Sequence, residues 1–394
     1  MGKRLSLIIT TTLTLSLNVI PAHSAVKAGS PCKKLGSISI TSTKKFTCIK
    51  SGKKLLWNKG VTLNVIPTRI DATPTPTPTP TYVDFTFKNL FENRSNVSFT
   101  AWKKSKDIML ANKPKEIVLK VFTGPNTKPF YEKIDLAIAK VSRLFPSKAE
   151  PKEVIAIRYV YRDLDWAENI SKSVLSTRDY EQLVTWERGQ ITKSNCDVSA
   201  NNCRGSRQMT TASGVSVILQ GVENQIPIEP NGYIRLTTGM LEAHEYFHSL
   251  QRIPIINKGI EVWPHAWFRE GGAEWVQNIS IHADDYDKYK EYLIDDCSNT
   301  CQKMTVKEIE EFLTDAIDYF LPTKFDSWLN YSLGSHVIEI LVAIKGPDVV
   351  VDMYAEMGNR LSFDDSFNKI FNVTWKEAIP EIAKTIHANL LSSK

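Results

Sequence analysis

His244-Glu245-Tyr246-Phe247-His248 is the stretch on which the reading of this 394-residue chain turns. Residues four apart stand on one face of an α-helix, so two imidazoles at that spacing can grip a single metal ion. The flanks suit a helix of about fifteen residues. Thr237 and Thr238 offer N-caps, Met240, His244, Phe247, His248 and Gln251 fall on one side, and Pro254 closes the run. An amphipathic core helix with two incidental histidines fits the same spacing, so the surrounding residues have to decide.

Catalytic zinc takes three protein ligands and keeps a fourth position for water, so a third donor is required. Glu270 lies 22 residues after His248, in Trp267-Phe268-Arg269-Glu270-Gly271-Gly272-Ala273-Glu274-Trp275. That segment reads as a second helix beginning after Pro264, with Glu270 and Glu274 again sharing a face. His265, Glu261 and His282 are competing donors. Pro264 puts His265 at a helix start, and His282 suits a surface or packing role.

Together, HEYFH and the downstream W-x-x-E-G-x-A-E-W resemble the gluzincin metallopeptidases, the glutamate-ligand branch of the zincins. The resemblance spans roughly residues 130 to 345 in pattern, with His244 to Trp275 and its flanks carrying the specific motifs. It implies Zn²⁺ held by His244, His248 and Glu270, and Glu274 hydrogen-bonded to a ligand histidine. That last role agrees with the general need of a ligating imidazole to donate its other ring proton. A metzincin would need Gly at position 251 and His at 254, where the chain has Gln251 and Pro254. An aminopeptidase of this group would carry G-x-M-E-N upstream. Gly221-Val222-Glu223-Asn224 falls one residue short, and a turn after the strand 215 to 220 is the competing reading.

A zinc-activated water would attack a peptide bond, with Glu245 as general base. Tyr331, in Trp328-Leu329-Asn330-Tyr331-Ser332-Leu333-Gly334-Ser335-His336, is the candidate oxyanion donor, because Y-x-x-G entering a helix resembles downstream segments of several gluzincins. His336 is the second candidate, and packing roles for both stay open. A catalytically inert zincin-like scaffold at the cell envelope is the alternative to a peptidase acting on peptide or protein substrates.

Residues 1 to 24 read as a secretory signal. Lys3 and Arg4 form a positive start, Leu5 to Ile20 an apolar run, and Ala22-His23-Ser24 a small-residue cleavage site. An uncleaved anchor competes, although the run is short for spanning a bilayer. Val337 to Ile344 is shorter still and contains Glu339, so the mature chain, beginning near Ala25, is expected to be soluble and exported. The six cysteines then read as disulfides in three close pairs, Cys32 with Cys48, Cys196 with Cys203 and Cys297 with Cys301. A zinc ribbon would need C-x-x-C, which the chain lacks.

Between Thr73 and Thr81 threonine and proline alternate, which implies a polyproline II spacer within a linker at 61 to 81. Ahead of it, residues 25 to 60 form a small module. This module resembles cysteine-paired repeats that precede linkers in secreted actinobacterial proteins, and is too short to fold without a disulfide. Residues 25 to 81 hold ten Lys or Arg against one acid, a net +9, whereas 82 to 394 hold 37 against 42, a net −5. The basic module can sit near anionic cell-wall polymer or lipid headgroups, or can simply be a solvated surface. Nucleic-acid binding is disfavoured, because no recognition motif is present.

Residues 82 to 394 are expected to be α+β. Strands fall at 117 to 122, 154 to 161 and 215 to 220, with a helix at 129 to 145 between the first two. Further helices fall near 239 to 252, 265 to 282, 306 to 319, 333 to 345, 347 to 357 and 375 to 391.

Overall fold

The structure, a computed structural model, describes residues 27–40, 44–62, 80–186, 195–227, 229–258, 264–298, 300–315 and 324–392. The expected signal segment, most of the Thr/Pro spacer and Glu261 lie outside the described residues. The chain divides into two units, 1–78 and 79–394. Among the described residues helices take 53% and strands 14%, which makes the chain α+β as expected.

The small unit is an antiparallel sheet in which β2 (Lys44–Ser51) pairs with β1 (Ile38–Ile40), β3 (Lys54–Trp57) and β4 (Val61–Thr62). Strand β4 therefore carries this sheet into the segment expected to be linker. Cys32 is bonded to Cys48, and Phe46 and Cys48 are its buried hydrophobic residues, so the disulfide stands in for a core too small to build.

In the large unit α1 (Val97–Ala111) precedes the mixed sheet β5-β6-β10-β9. Strands β5 (Leu119–Thr123) and β6 (Glu153–Tyr159) are parallel and joined through α2 (Ile134–Leu144). Helices α3 (Leu164–Val174) and α4 (Thr177–Trp186) follow, then the short pair β7 (Cys196–Asp197) and β8 (Asn202–Cys203), closed by the Cys196–Cys203 disulfide. Strand β10 (Val215–Gly221) lies parallel to β6 and antiparallel to the edge strand β9 (Gly205–Thr210). Strands β6 and β10 are buried almost throughout because both faces are covered. Val154, Ala156 and Ile218 enter the main core, while Ile155, Ile157, Val217 and Leu219 pack with Ala167, Leu175 and Leu183 on the other face.

After the sheet the chain is helical: α5 (Pro230–Thr237), α6 (Met240–Arg252), α7 (Ala266–His282), α8 (Tyr286–Cys297), α9 (Val306–Asp315), α10 (Leu329–Lys345), α11 (Val349–Gly358), α12 (Phe363–Phe371) and α13 (Trp375–Ser392). Two of these starts are capping boxes: Thr305 with Glu308, and Thr374 with Glu377. The third disulfide, Cys297–Cys301, holds the end of α8. No described helix is long and apolar enough to cross a membrane.

Several expectations need correction. Thr237 and Thr238 do not cap α6, because they end the preceding helix α5, whose proline at N1 was not read as a start. Gly239 caps α6 instead, with φ 91°, a left-handed conformation that turns the chain sharply between the two helices. Helix α2 begins at Ile134 rather than 129, and α10 begins four residues before 333. Helices α1, α3, α4, α5, α8 and α12 and strands β1 to β4 and β7 to β9 had no counterpart in the sequence reading.

Candidate metal centre

Helix α6 is held to the sheet by buried polar contacts on the side away from its histidines. Glu242 accepts from Arg158 at 3.3 Å and Gln220 at 3.1 Å, and seven residues on Ser249 meets Ser216 at 2.7 Å. With that side fixed, His244, His248 and Gln251 face α7. Helix α7 is in turn pressed against α10 at a point where both backbones lack side chains. A Cβ on Gly271 would stand 2.6 Å from the Gly334 Cα, and one on Gly334 would stand 2.6 Å from the Trp267 carbonyl oxygen. Only glycine allows so close a crossing, and it sets Glu270 opposite the two imidazoles.

The geometry suits a metal ion. Glu270 Oε2 lies 3.6 Å from His244 Nε2 and 3.4 Å from His248 Nε2, and one ligand atom from each of the three residues lies within 4.8 Å of the others. Ligands about 2.0 to 2.1 Å from a tetrahedral zinc stand roughly 3.3 Å apart, close to the two carboxylate–imidazole separations. They exceed the usual hydrogen-bond distance. Two imidazoles and one carboxylate are a recurrent donor set for catalytic zinc.

Around this group the ligands are braced. Glu274, fully buried, turns Oε2 toward His244 Nδ1 at 3.6 Å, just beyond hydrogen-bonding range, and receives Arg235 Nη1 at 2.8 Å on the same oxygen. Tyr292 donates to its other oxygen at 2.8 Å, and Gln277 does so too. Arg235 Nη2 also approaches His244 Nδ1, at 3.4 Å. A guanidinium can only donate, so for a ligating His244 the proton on Nδ1 belongs with the Glu274 carboxylate. Gln251 meets His248 Nδ1 at 2.7 Å, and Arg269 Nε donates to Glu270 Oε1 at 2.9 Å.

Tyr331 lies beside this group. Its ring stacks on His244 with centroids 5.9 Å apart and on Trp328 at 4.7 Å, making a column from the 38% exposed indole down to the buried ligand. Glu245 is 5% exposed and shares the helix with the histidines. The other candidates lie elsewhere. His336 contacts the Leu293 carbonyl at 3.2 Å, so it serves the packing of α10 on α8. His265 stacks on Trp267 and meets Phe363 edge-on, and His282 ends α7. Glu223 pairs with Arg204 at 3.6 Å and Asn224 bonds to Asn201 and Asn202, the turn reading of that segment.

No family model, curated protein or solved structure matches the chain.

The site's own electrostatics are therefore the guide to its chemistry. Burial, with Arg235 and His248 adding to it, pulls His244 down to about 3, so its ring is neutral and its lone pair free to bind. Burial also favours neutral Glu270, but His248, His244 and Arg269 outweigh it and hold the carboxyl well below its ordinary range. Burial would lower His248 too; Glu270 reverses the direction and raises it. Desolvation pushes Glu245 up to about 7, near where a group that takes and returns protons works best. Burial opposes charge on Arg235, yet Glu274 dominates and keeps it cationic.

Arg235 and the bracing role of Gln251 were missed from sequence. Arg235 precedes His244 by nine residues on a different helix, so no spacing rule connects them. Gln251 stands three residues after His248, the i,i+3 relation that lets side chains meet on a helix, and that signal was available.

Proposed function

We propose that this protein is an exported zinc-dependent peptidase of gluzincin type. The observation that supports it is the convergence of His244, His248 and Glu270, with Glu270 Oε2 within 3.6 Å of both Nε2 atoms, beside a buried carboxyl at Glu245. A divalent zinc ion held there would supply Lewis acidity, lowering the pKa of a coordinated water from 15.7 to about 7. Glu245 takes a proton from the attacking water and returns it to the leaving amine. The Tyr331 hydroxyl donates to the oxygen on which negative charge develops. Glu274 and Arg235 hold the His244 ring in its ligating orientation. The three disulfides are consistent with an oxidising, extracellular location.

The test is Glu245→Gln, which keeps the shape and removes the base. Hydrolysis of an unstructured substrate such as casein should fall at least about 100-fold while zinc stays bound. Full activity in the variant would refute the assigned base. Near-complete burial of His244, Glu245 and Glu270 favours a second reading, an inert zincin-like scaffold that binds zinc and hydrolyses nothing. Chelator-sensitive turnover restored by Zn²⁺ excludes the scaffold, and metal binding without turnover establishes it.

A further inference from the structure

Between the two ligand-bearing helices runs a closed circuit of side-chain and backbone groups. His248 Nδ1 meets Gln251 Oε1 at 2.7 Å, Gln251 Nε2 donates to the Arg269 carbonyl at 2.9 Å, and Arg269 Nε donates to Glu270 Oε1 at 2.9 Å. The circuit therefore leaves one metal ligand, on α6, and arrives at another, on α7. Each link has only one chemically allowed direction. A backbone carbonyl accepts and never donates, so the Gln251 amide must present its NH₂ to Arg269 and its oxygen to His248. An oxygen facing Nδ1 requires that Nδ1 carry the proton. The lone pair of His248 is then on Nε2, the atom 3.4 Å from Glu270 Oε2.

At the other end, Arg269 occupies Glu270 Oε1, which leaves Oε2 as the oxygen common to both histidines. Room for the circuit is built in. A Cβ on Gly272 would come within 3.1 Å of Gln251 Nε2, closer than the amide comfortably tolerates. Gln251 is 1% exposed, so water is poorly placed to substitute for it.

We infer that Gln251 is a positioning residue that fixes His248 as the Nδ1–H tautomer and, through Arg269, ties that choice to the oxygen of Glu270 that faces the metal. This rests on reading His244, His248 and Glu270 as a metal centre; it does not require that the protein hydrolyse peptides. The circuit gives the two histidines unlike supports, a charged pair behind His244 and a neutral amide behind His248.

The test reads the tautomer directly. Nitrogen-15 NMR of metal-free wild type, followed upward in pH until the His248 ring that Glu270 holds protonated has become neutral, should show its remaining proton on Nδ1. Gln251→Leu, nearly isosteric and unable to accept, should shift His248 toward Nε2–H and weaken Zn²⁺ affinity, measured by chelator competition, 10- to 100-fold. Gln251→Glu keeps an acceptor for His248 while losing the donor to the Arg269 carbonyl, and should restore the Nδ1–H form without restoring the tie to Glu270. A wild-type His248 protonated on Nε2, or a Gln251→Leu variant with unchanged tautomer and affinity, overturns the inference. The wild-type measurement stands even if Gln251→Leu does not fold. Because the tautomer is read without metal, its outcome is separable from a failure of zinc binding or of casein turnover.

Discussion

Glu270 is the side chain whose loss should be felt most directly. Arg269 and the two histidines keep it ionised, and it faces both rings within 3.6 Å. Glu270→Ala should lower zinc content from near-stoichiometric to a small fraction, read by mass spectrometry of native protein, with affinity falling more than about 100-fold. A second buried acid, Glu339, lies away from the ligand group and tests the pH behaviour of the fold. It accepts from Tyr289 at 2.8 Å, and burial pushes its carboxyl up from 4.5 to about 7. The folded chain thus holds this proton more tightly than the unfolded one. The stability it contributes is fully present below about 4.5 and lost as pH rises through about 7, a change on the order of 3 kcal/mol. Glu339→Gln should remove that part of the pH dependence, so urea midpoints of variant and wild type should converge at pH 5 and diverge at pH 8 in favour of the variant.

Among the elements, the crossing of α7 and α10 sets the geometry of the centre. Gly271→Ala would place a methyl group 2.6 Å from the Gly334 Cα, forcing the helices apart at a cost of about 1 to 3 kcal/mol. Thermal unfolding would register that loss, and zinc affinity should fall with it, because Glu270 rides on the displaced helix. This crossing also marks the boundary of what sequence conveys. Helices α6 and α7 were legible because flanking prolines and i,i+4 pairs are local signals, even though the threonine caps expected for α6 belong to α5. Helix α8 was not, since its Tyr289, Tyr292 and Leu293 are mixed with charged residues and its burial depends on neighbours distant in sequence. Gly271 was read only as part of a motif. That it meets Gly334, 63 residues away, is a tertiary fact with no local signature.

At the level of the whole molecule, two units carry opposite charge, +9 over residues 25 to 81 and −5 beyond them. Their stabilities should be separately addressable. Breaking the Cys32–Cys48 bond with Cys48→Ser removes a closure spanning 16 residues, worth about 3 kcal/mol. Hydrogen exchange should then rise across 27–62 while 80–392 and its zinc affinity are untouched. The lysine-rich unit should also retain the chain on an anionic matrix at low salt. It should release the chain once the screening length falls below about 10 Å, and a chain lacking 27–62 should pass through unretained.

The glycine contact between α7 and α10 has one more consequence, for the choice of ion. Backbone braced against backbone cannot breathe as side chains do, so the gap between Glu270 and the two rings behaves as a fixed gauge. On the proposed zinc reading, calcium, which wants six to eight oxygens at 2.3 to 2.6 Å, should find too few donors and little slack to recruit more, and should compete poorly with zinc.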